Sequence, residues 1–224
     1  MKEVNVSIPN KEHLEYFIEI ITSALKHVEF ALTYKLRVLR IKIFGERDEV
    51  IQSVNIVKTY GKMYSRSVTP NAGGYYAHHL KLIQQISTRI ISIDSISSVL
   101  KHSGTDSYIK DQEIFTKASM KEVQYILSQL YDLIQETPRN VRTQTMKRVL
   151  LTVSYITKYP PEFIIDQGMS LGYFKVSKDT ITVNQDPEKC IKNLISELSG
   201  DKTRKKFNEY TNNQSSSGQI YIKE

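Results

Sequence analysis

The sequence predicts an α+β protein, a βαββα domain at the N-terminus followed by two tandem helical units, each closed by a hairpin and a further helix. Three observations carry this reading. Up to residue 66, runs of alternating apolar residues are interspersed with stripes at helical spacing. A weak internal duplication at an offset of roughly 68 residues sets Ile96 on Ile164, Gly104 on Gly172, Val123 on Ile191, Ile126 on Leu194, Leu127 on Ile195 and Leu130 on Leu198. Helix start and stop signals recur in the same order in both copies.

In the first domain, residues 1–66, Val4, Val6 and Ile8 alternate with polar residues up to Pro9-Asn10, the pattern of a strand. Leu14, Phe17, Ile18, Ile21 and Leu25 follow at helical spacing, with Asn10 placed as N-cap. Phe30, Leu32 and Tyr34 form a second strand, and Val38 or Leu39 through Phe44 a third, stopped by Gly45. Val50, Ile51, Val54, Val57 and Tyr64 mark a second helix, with Asp48 at its positive end. Residues 67–76, carrying Pro70, Asn71, Gly73 and Gly74, break the periodicity and read as a linker.

The first repeat, 77–135, opens with a stripe at Leu80, Ile83, Ile86 and Ile90, then a short helix from Ile93 to Val99 stopped by Gly104. Lys110-Asp111-Gln112 is a hairpin tip, and Ser119 caps a helix with Val123, Ile126, Leu127, Leu130 and Ile134 inside. In the second repeat, 136–199, Thr137-Pro138 reads as a cap followed by proline at the first helical position. That helix carries Val141, Met146, Val149, Leu150 and Val153 to Tyr159-Pro160-Pro161. Phe163 to Leu171 is its partner, Ser177-Lys178-Asp179 the second hairpin tip, and Asp186-Pro187 the start of the last helix. Residues 200–224 are polar and read as a disordered tail. Helix, tight turn, helix, hairpin and helix is a winged-helix-like order, which suits DNA or RNA binding and equally suits protein docking.

A formal charge of +7 on 224 residues favours polyanionic partners, RNA or DNA, though a lysine-rich soluble surface gives the same number. One cysteine, Cys190, permits no internal disulfide; it reads as a half-buried small apolar residue. The start shows no apolar run of signal-peptide length, and no stretch approaches the ~20 apolar residues of a membrane span. These features imply a cytoplasmic protein with no membrane partner. No phosphate-cradling, dinucleotide-binding, nucleophile-elbow or HExxH motif occurs, so the expectation is a non-enzyme without cofactor or metal. His78 and His79 are adjacent, and on a helix they point about 100° apart, too far to chelate one ion.

Two basic clusters are the candidate nucleic-acid contacts. Lys35, Arg37, Arg40 and Lys42 lie on or beside the second hairpin of the first domain, with Arg40 and Lys42 on the strand face opposite Leu39, Ile41 and Ile43. Protection of a sheet edge accounts for the same residues. Arg139, Arg142, Lys147 and Arg148 are placed along the first helix of the second repeat, a basic helix start suited to phosphate or a simple solvated face.

Ile41-Lys42-Ile43-Phe44-Gly45 with Asp48-Glu49-Val50-Ile51 and Val54 resembles the strand-glycine-helix ending of a KH domain over about 25 residues, without that family's GxxG loop. The first domain is therefore expected to be KH-like or ferredoxin-like. A wider resemblance runs from Val4 to about Leu198. Leu39 to Gly45, Glu113-Ile114-Phe115-Thr116-Lys117-Ala118-Ser119-Met120-Lys121-Glu122-Val123 and Tyr159-Pro160-Pro161-Glu162-Phe163-Ile164-Ile165 leading to Leu171-Gly172 look like an archaeal uncharacterised-protein family, domain of unknown function 2067. That resemblance implies an archaeal cytoplasmic protein and supplies no activity or catalytic residue.

Overall fold

The structure is a computed structural model that describes residues 1–9, 11–84, 91–200 and Phe207. The expected cap Asn10, the stripe residues Ile86 and Ile90, and the tail apart from Gly200 and Phe207 lie outside the described residues. The described chain is mixed α and β, with small antiparallel sheets. It divides into two compact units, residues 1–93 with 105–125, and residues 94–104 with those from 126 onwards.

The first unit begins with β1 (Lys2–Ser7), α1 (Glu12–Ala24), β2 (Phe30–Lys35), β3 (Val38–Ile43) and α2 (Arg47–Val68). The strands pair antiparallel in the order β1-β3-β2, with Ile41 facing both Val4 and Leu32, and Leu39 facing both Val6 and Tyr34. A side-chain period of two sends Val4, Val6, Leu39, Ile41 and Ile43 to one face. There they join Phe17, Ile20 and Ile21 of α1 and Val50, Val57 and Tyr64 of α2 in one core. β2 and β3 are joined by Leu36 and Arg37, both with positive φ (52° and 63°), the backbone of a type I′ hairpin built without glycine or asparagine.

Tyr64 fills the middle of this core, fully buried, its ring 4.8 Å from that of Phe17 and its hydroxyl without a hydrogen-bond partner among the described residues. An unpaired buried hydroxyl is a desolvation loss with no return. Tyr64→Phe is therefore expected to keep the fold and to stabilise it by about 1 kcal/mol. Thermal denaturation checks this, with a rise of about 2–4 °C expected for a chain of this size.

The stretch read as a linker is tied down at both ends. α2 continues through Val68, and the Ser67 hydroxyl, fully buried, donates to the carbonyl of Ala77 at 3.0 Å. Asn71 Oδ1 accepts from the amides of Gly73 and Tyr75. The chain then enters a strand absent from the sequence-based expectation, β4 (Tyr76–His79), followed by α3 (Leu80–Gln84). β4 pairs with β6 (Glu113–Thr116), which also pairs with β5 (Ser107–Lys110), in the order β4-β6-β5. His78 and His79 are thus strand neighbours on opposite faces, not helix residues.

His78 is fully buried; its Nε2–H donates to the Ala118 carbonyl at 3.0 Å and its Nδ1 has no partner among the described residues. Burial holds its pKa below the ordinary 6.5, against a weaker raising effect of the Ala118 bond. His79 is lowered by burial as well. A depressed pKa means that the unfolded chain binds the proton more readily, so the stabilisation is complete above pH 6.5 and is lost as pH falls through and below that value. The urea midpoint is expected to drop between pH 7.5 and 5.5, and His78→Gln to flatten that slope.

α4 (Ile93–His102), α5 (Met120–Glu136), α6 (Gln144–Thr157), α7 (Pro161–Ser170), β7 (Phe174–Ser177), β8 (Thr180–Val183) and α8 (Pro187–Leu198) complete the fold. The duplication is visible in the backbone: α4 and α7 end before Gly104 and Gly172, both with positive φ, and the hairpins turn at Asp111–Gln112 and Lys178–Asp179, all four with positive φ. Ser119 and Glu122 form a capping box at α5, the Ser119 amide donating to Glu122 Oε2 at 2.6 Å. The second core gathers Met146, Val149, Leu150 and Val153 of α6, Phe163 and Ile164 of α7, Phe174 of β7 and Ile191 and Leu194 of α8.

The compact units do not follow the repeat boundaries at 77–135 and 136–199. α4 belongs with the second unit because its buried face is satisfied there: Thr152 Oγ1 donates to Ser98 Oγ at 2.9 Å, and His102 Nε2 lies 3.8 Å from Glu188 Oε2. Phe207, helical, packs its ring on Tyr159 and Phe163, 4.8 and 5.2 Å between centroids.

Candidate functional site

Three of the four candidate basic residues of the first unit sit on one sheet face. β3 presents Val38, Arg40 and Lys42 there; Asn5 and Thr33 flank Arg40, and Glu3 and Ala31 flank Lys42. Lys35 pairs with Val38, so it shares this face. Arg37 does not: it occupies the turn, where its carbonyl accepts from the Ile8 amide at 2.8 Å. Arg40 Nε reaches Glu3 Oε1 at 3.1 Å, with half of the Arg40 side chain exposed, so the pair is weak and screened by salt. The face is polar and only moderately cationic.

The second cluster is arranged differently from the sequence-based expectation. The helix does not start at Thr137-Pro138. Thr137 Oγ1 donates to the Leu133 carbonyl and so closes α5, while Pro138 O accepts from the Val141 amide in a turn. Asn140 O then accepts from the Ile181 amide of β8 at 3.0 Å, which ties this turn to the hairpin. Thr143 is the actual cap, its Oγ1 accepting from the Met146 amide at 3.2 Å. Two local start signals compete, and the one with a usable side-chain oxygen at the apolar stripe prevails.

Arg139 and Arg142 are therefore in an exposed connection, not one turn apart on a helix face. The connection folds them over a cleft of about 410 Å³ that also receives Lys147 from the first turns of α6. Ile134, Thr137, Pro138 and Val141 supply its walls, and among the described residues no carboxylate lines it. The first turn of α6 carries no acidic residue, so its positive end adds to the cations instead of being offset. Arg148 is not part of the cleft; its Nη2 lies 3.8 Å from Glu188 Oε1, on a side chain only a quarter exposed.

A smaller cavity of about 250 Å³ lies at the other end of α6. Ser154, Tyr155, Lys158, Tyr159 and Pro160 line it from α6 and the turn that follows, and Gln129, Leu133 and Glu136 from α5. The Ser154 side chain is 1 % exposed and its Oγ has no hydrogen-bond partner among the described residues. Lys158, with φ of 63° at the helix end, carries its ammonium 4.2 Å over the Tyr155 ring. Sequence reasoning missed this cavity: Ser154 reads as one more small residue on an apolar stripe, and only the later Tyr159-Pro160 hints at a flat wall.

Cys190 is fully buried, deeper than expected, because the first turn of α8 faces the core; burial pushes its thiol up to about 11. Among the described residues no group of three His, Cys, Asp or Glu side chains is placed to hold a metal ion. Nor is any described helix long and apolar enough to cross a membrane.

Fold and cleft together define an α+β chain of two compact units, the second bearing a cationic cleft with no carboxylate among the described residues. The model of the archaeal family described as an uncharacterized protein conserved in archaea, domain of unknown function 2067, matches residues 6–192, and the chain belongs to that family. It is 24 % identical over 167 residues to an uncharacterized protein of Methanocaldococcus jannaschii, covering 73 % of this chain and 79 % of the relative. It is 21 % identical over 160 residues to an uncharacterized protein of Methanococcus vannielii, covering 70 % and 77 %. No solved structure matches the chain.

Proposed function

We propose that this protein binds nucleic acid without chemistry, as a cytoplasmic module that needs no cofactor, with RNA favoured over DNA. The observation that carries the reading is the cleft of Arg139, Arg142 and Lys147, three cations on a site with no carboxylate among the described residues. Lys35, Arg40 and Lys42 on one face of the first sheet supply a second, weaker set of contacts with a polyanion.

The preference for RNA follows from the helices that a winged-helix reading would lay in a DNA major groove. α4 has Ser95, Ile96, Ser98, Val99 and Leu100 buried and little surface to offer. α7 exposes Glu162 and Asp166, which repel phosphate. A duplex-reading role is poorly served by either helix, whereas a cleft that captures phosphates from a flexible strand needs neither.

Titration of the purified chain with labelled single-stranded RNA, structured RNA and duplex DNA across salt tests this. Single-stranded RNA is expected to bind most tightly, with log affinity falling linearly in log salt. Absence of binding at low salt rejects the reading. It would favour a protein-docking role, to which exposed Met169 and Leu171 near the end of α7 and Val176 on β7 are suited.

A further inference from the structure

We propose that the cavity around Ser154 is a nucleobase pocket, taking one unstacked base of a single strand whose phosphates lie in the neighbouring cationic cleft. This rests on the polyanion reading of that cleft. The first argument is Ser154, a residue that lines the cavity at 1 % exposure and whose hydroxyl, a donor and acceptor, has no partner among the described residues. Buried polar groups are ordinarily satisfied by protein or ordered water, so an unsatisfied hydroxyl beside a cavity leaves a hydrogen bond that a bound ligand can complete.

Size and walls narrow the ligand class. About 250 Å³ is below the roughly 300–1,000 Å³ of pockets for drug-sized molecules, so the cavity suits a single ring system. Tyr155, Tyr159 and Pro160 give flat walls against which a planar heterocycle packs. The charge pattern separates the two sites. Lys158 and Glu136 balance each other in the pocket, and a carboxylate there accepts from the exocyclic amino group of a base while disfavouring phosphate. In the cleft, Arg139, Arg142 and Lys147 have no such counterpart among the described residues.

The two sites are also linked by the chain. Leu133 and Glu136 of α5 line the pocket, and their immediate neighbours Ile134 and Thr137 line the cleft. Along α6, Lys147 and Ser154 are separated by about 10 Å at 1.5 Å per residue. That is about the length of three stacked nucleotides at ~3.4 Å each, and fewer in an extended strand.

The chain contains no tryptophan, so Tyr155→Trp places a single reporter in the pocket while keeping an aromatic wall. The probes are a single-stranded oligonucleotide and inorganic polyphosphate, which has the charge without the bases. The oligonucleotide is expected to quench the tryptophan saturably, and polyphosphate to compete for binding while leaving the emission unchanged. Ser154→Ala in the same background, with circular dichroism to confirm the fold, is expected to weaken oligonucleotide binding about fivefold to tenfold and polyphosphate binding not at all. Oligonucleotide binding without quenching, equal quenching by polyphosphate, or indifference to Ser154→Ala overturns the pocket and leaves the cleft reading intact. Failure of both probes to bind overturns both.

Discussion

Replacing Arg139 and Arg142 together by glutamate is expected to lower affinity for single-stranded RNA by about 100-fold or more at low salt, with the fold unchanged. The size follows from the contacts. A hydrogen bond to a charged partner contributes about 1.5–3 kcal/mol, so the loss of two amounts to about 3–6 kcal/mol, at 1.4 kcal/mol per factor of ten. Both arginines are exposed and neither is in an ion pair among the described residues, so their removal costs the folded state little. The salt slope distinguishes lost contacts from general repulsion: for a single strand it should shrink by about 1.4, at ~0.7 per phosphate contact. Arg148→Gln serves as the comparison, since its side chain faces Glu188 and is expected to leave affinity nearly unchanged. Equal losses from the two variants would mean that the cleft has no privileged role.

Gly168→Ala is expected to destabilise the second unit by about 3 kcal/mol, which at this chain length is a fall of roughly 6–12 °C in melting temperature. In an exposed helix the same change would stabilise, because alanine is the better helix former by about 1 kcal/mol. Here the sign reverses. A Cβ at Gly168 would overlap the ring of Phe174, and that ring is 3 % exposed within the second core. The ring cannot swing aside without disturbing its neighbours, and β7 is held at this point by the Tyr173 amide donating to the Gly168 carbonyl at 2.8 Å. Phe174→Leu in the alanine background should restore part of the loss, a coupling that a double-mutant cycle measures. An additive double mutant would place the damage elsewhere.

The end of α7 was legible in the sequence: Gly172, set against Gly104 by the internal duplication, reads as a helix stop, and it has the positive φ of one. The first sheet was legible for a similar reason: one face of β3 is buried, so Leu39, Ile41 and Ile43 had to alternate with Val38, Arg40 and Lys42. β4 was not, because Tyr76-Ala77-His78-His79 buries a histidine and lacks the β-branched alternation that marks a strand. The start of α6 was misread because Thr137-Pro138 satisfies every local rule for a helix N-terminus, and only the pairing of Asn140 with Ile181, far along the chain, withdraws those residues from the helix. The cleft inherits that difficulty. Arg139, Arg142 and Lys147 were each named from charge alone, but their convergence depends on the turn at Pro138–Val141 being tied to β8, a tertiary fact with no short-range signature.

The alternation of the two units along the chain sets the order of events on the ribosome. The first unit cannot complete its second sheet until β6 has been made, and α4, synthesised earlier, belongs with partners that come later. Residues 103–151 separate α4 from Thr152, its hydrogen-bond partner, and take roughly 2–10 s to emerge at about 5–20 residues per second. For that interval Ile96, Val99 and Leu100, all buried in the finished protein, lack the burial that the second unit gives them. Chaperone dependence during translation should therefore concentrate on nascent chains between α4 and the end of α6, and a pause in synthesis within that window should lower the yield of native protein.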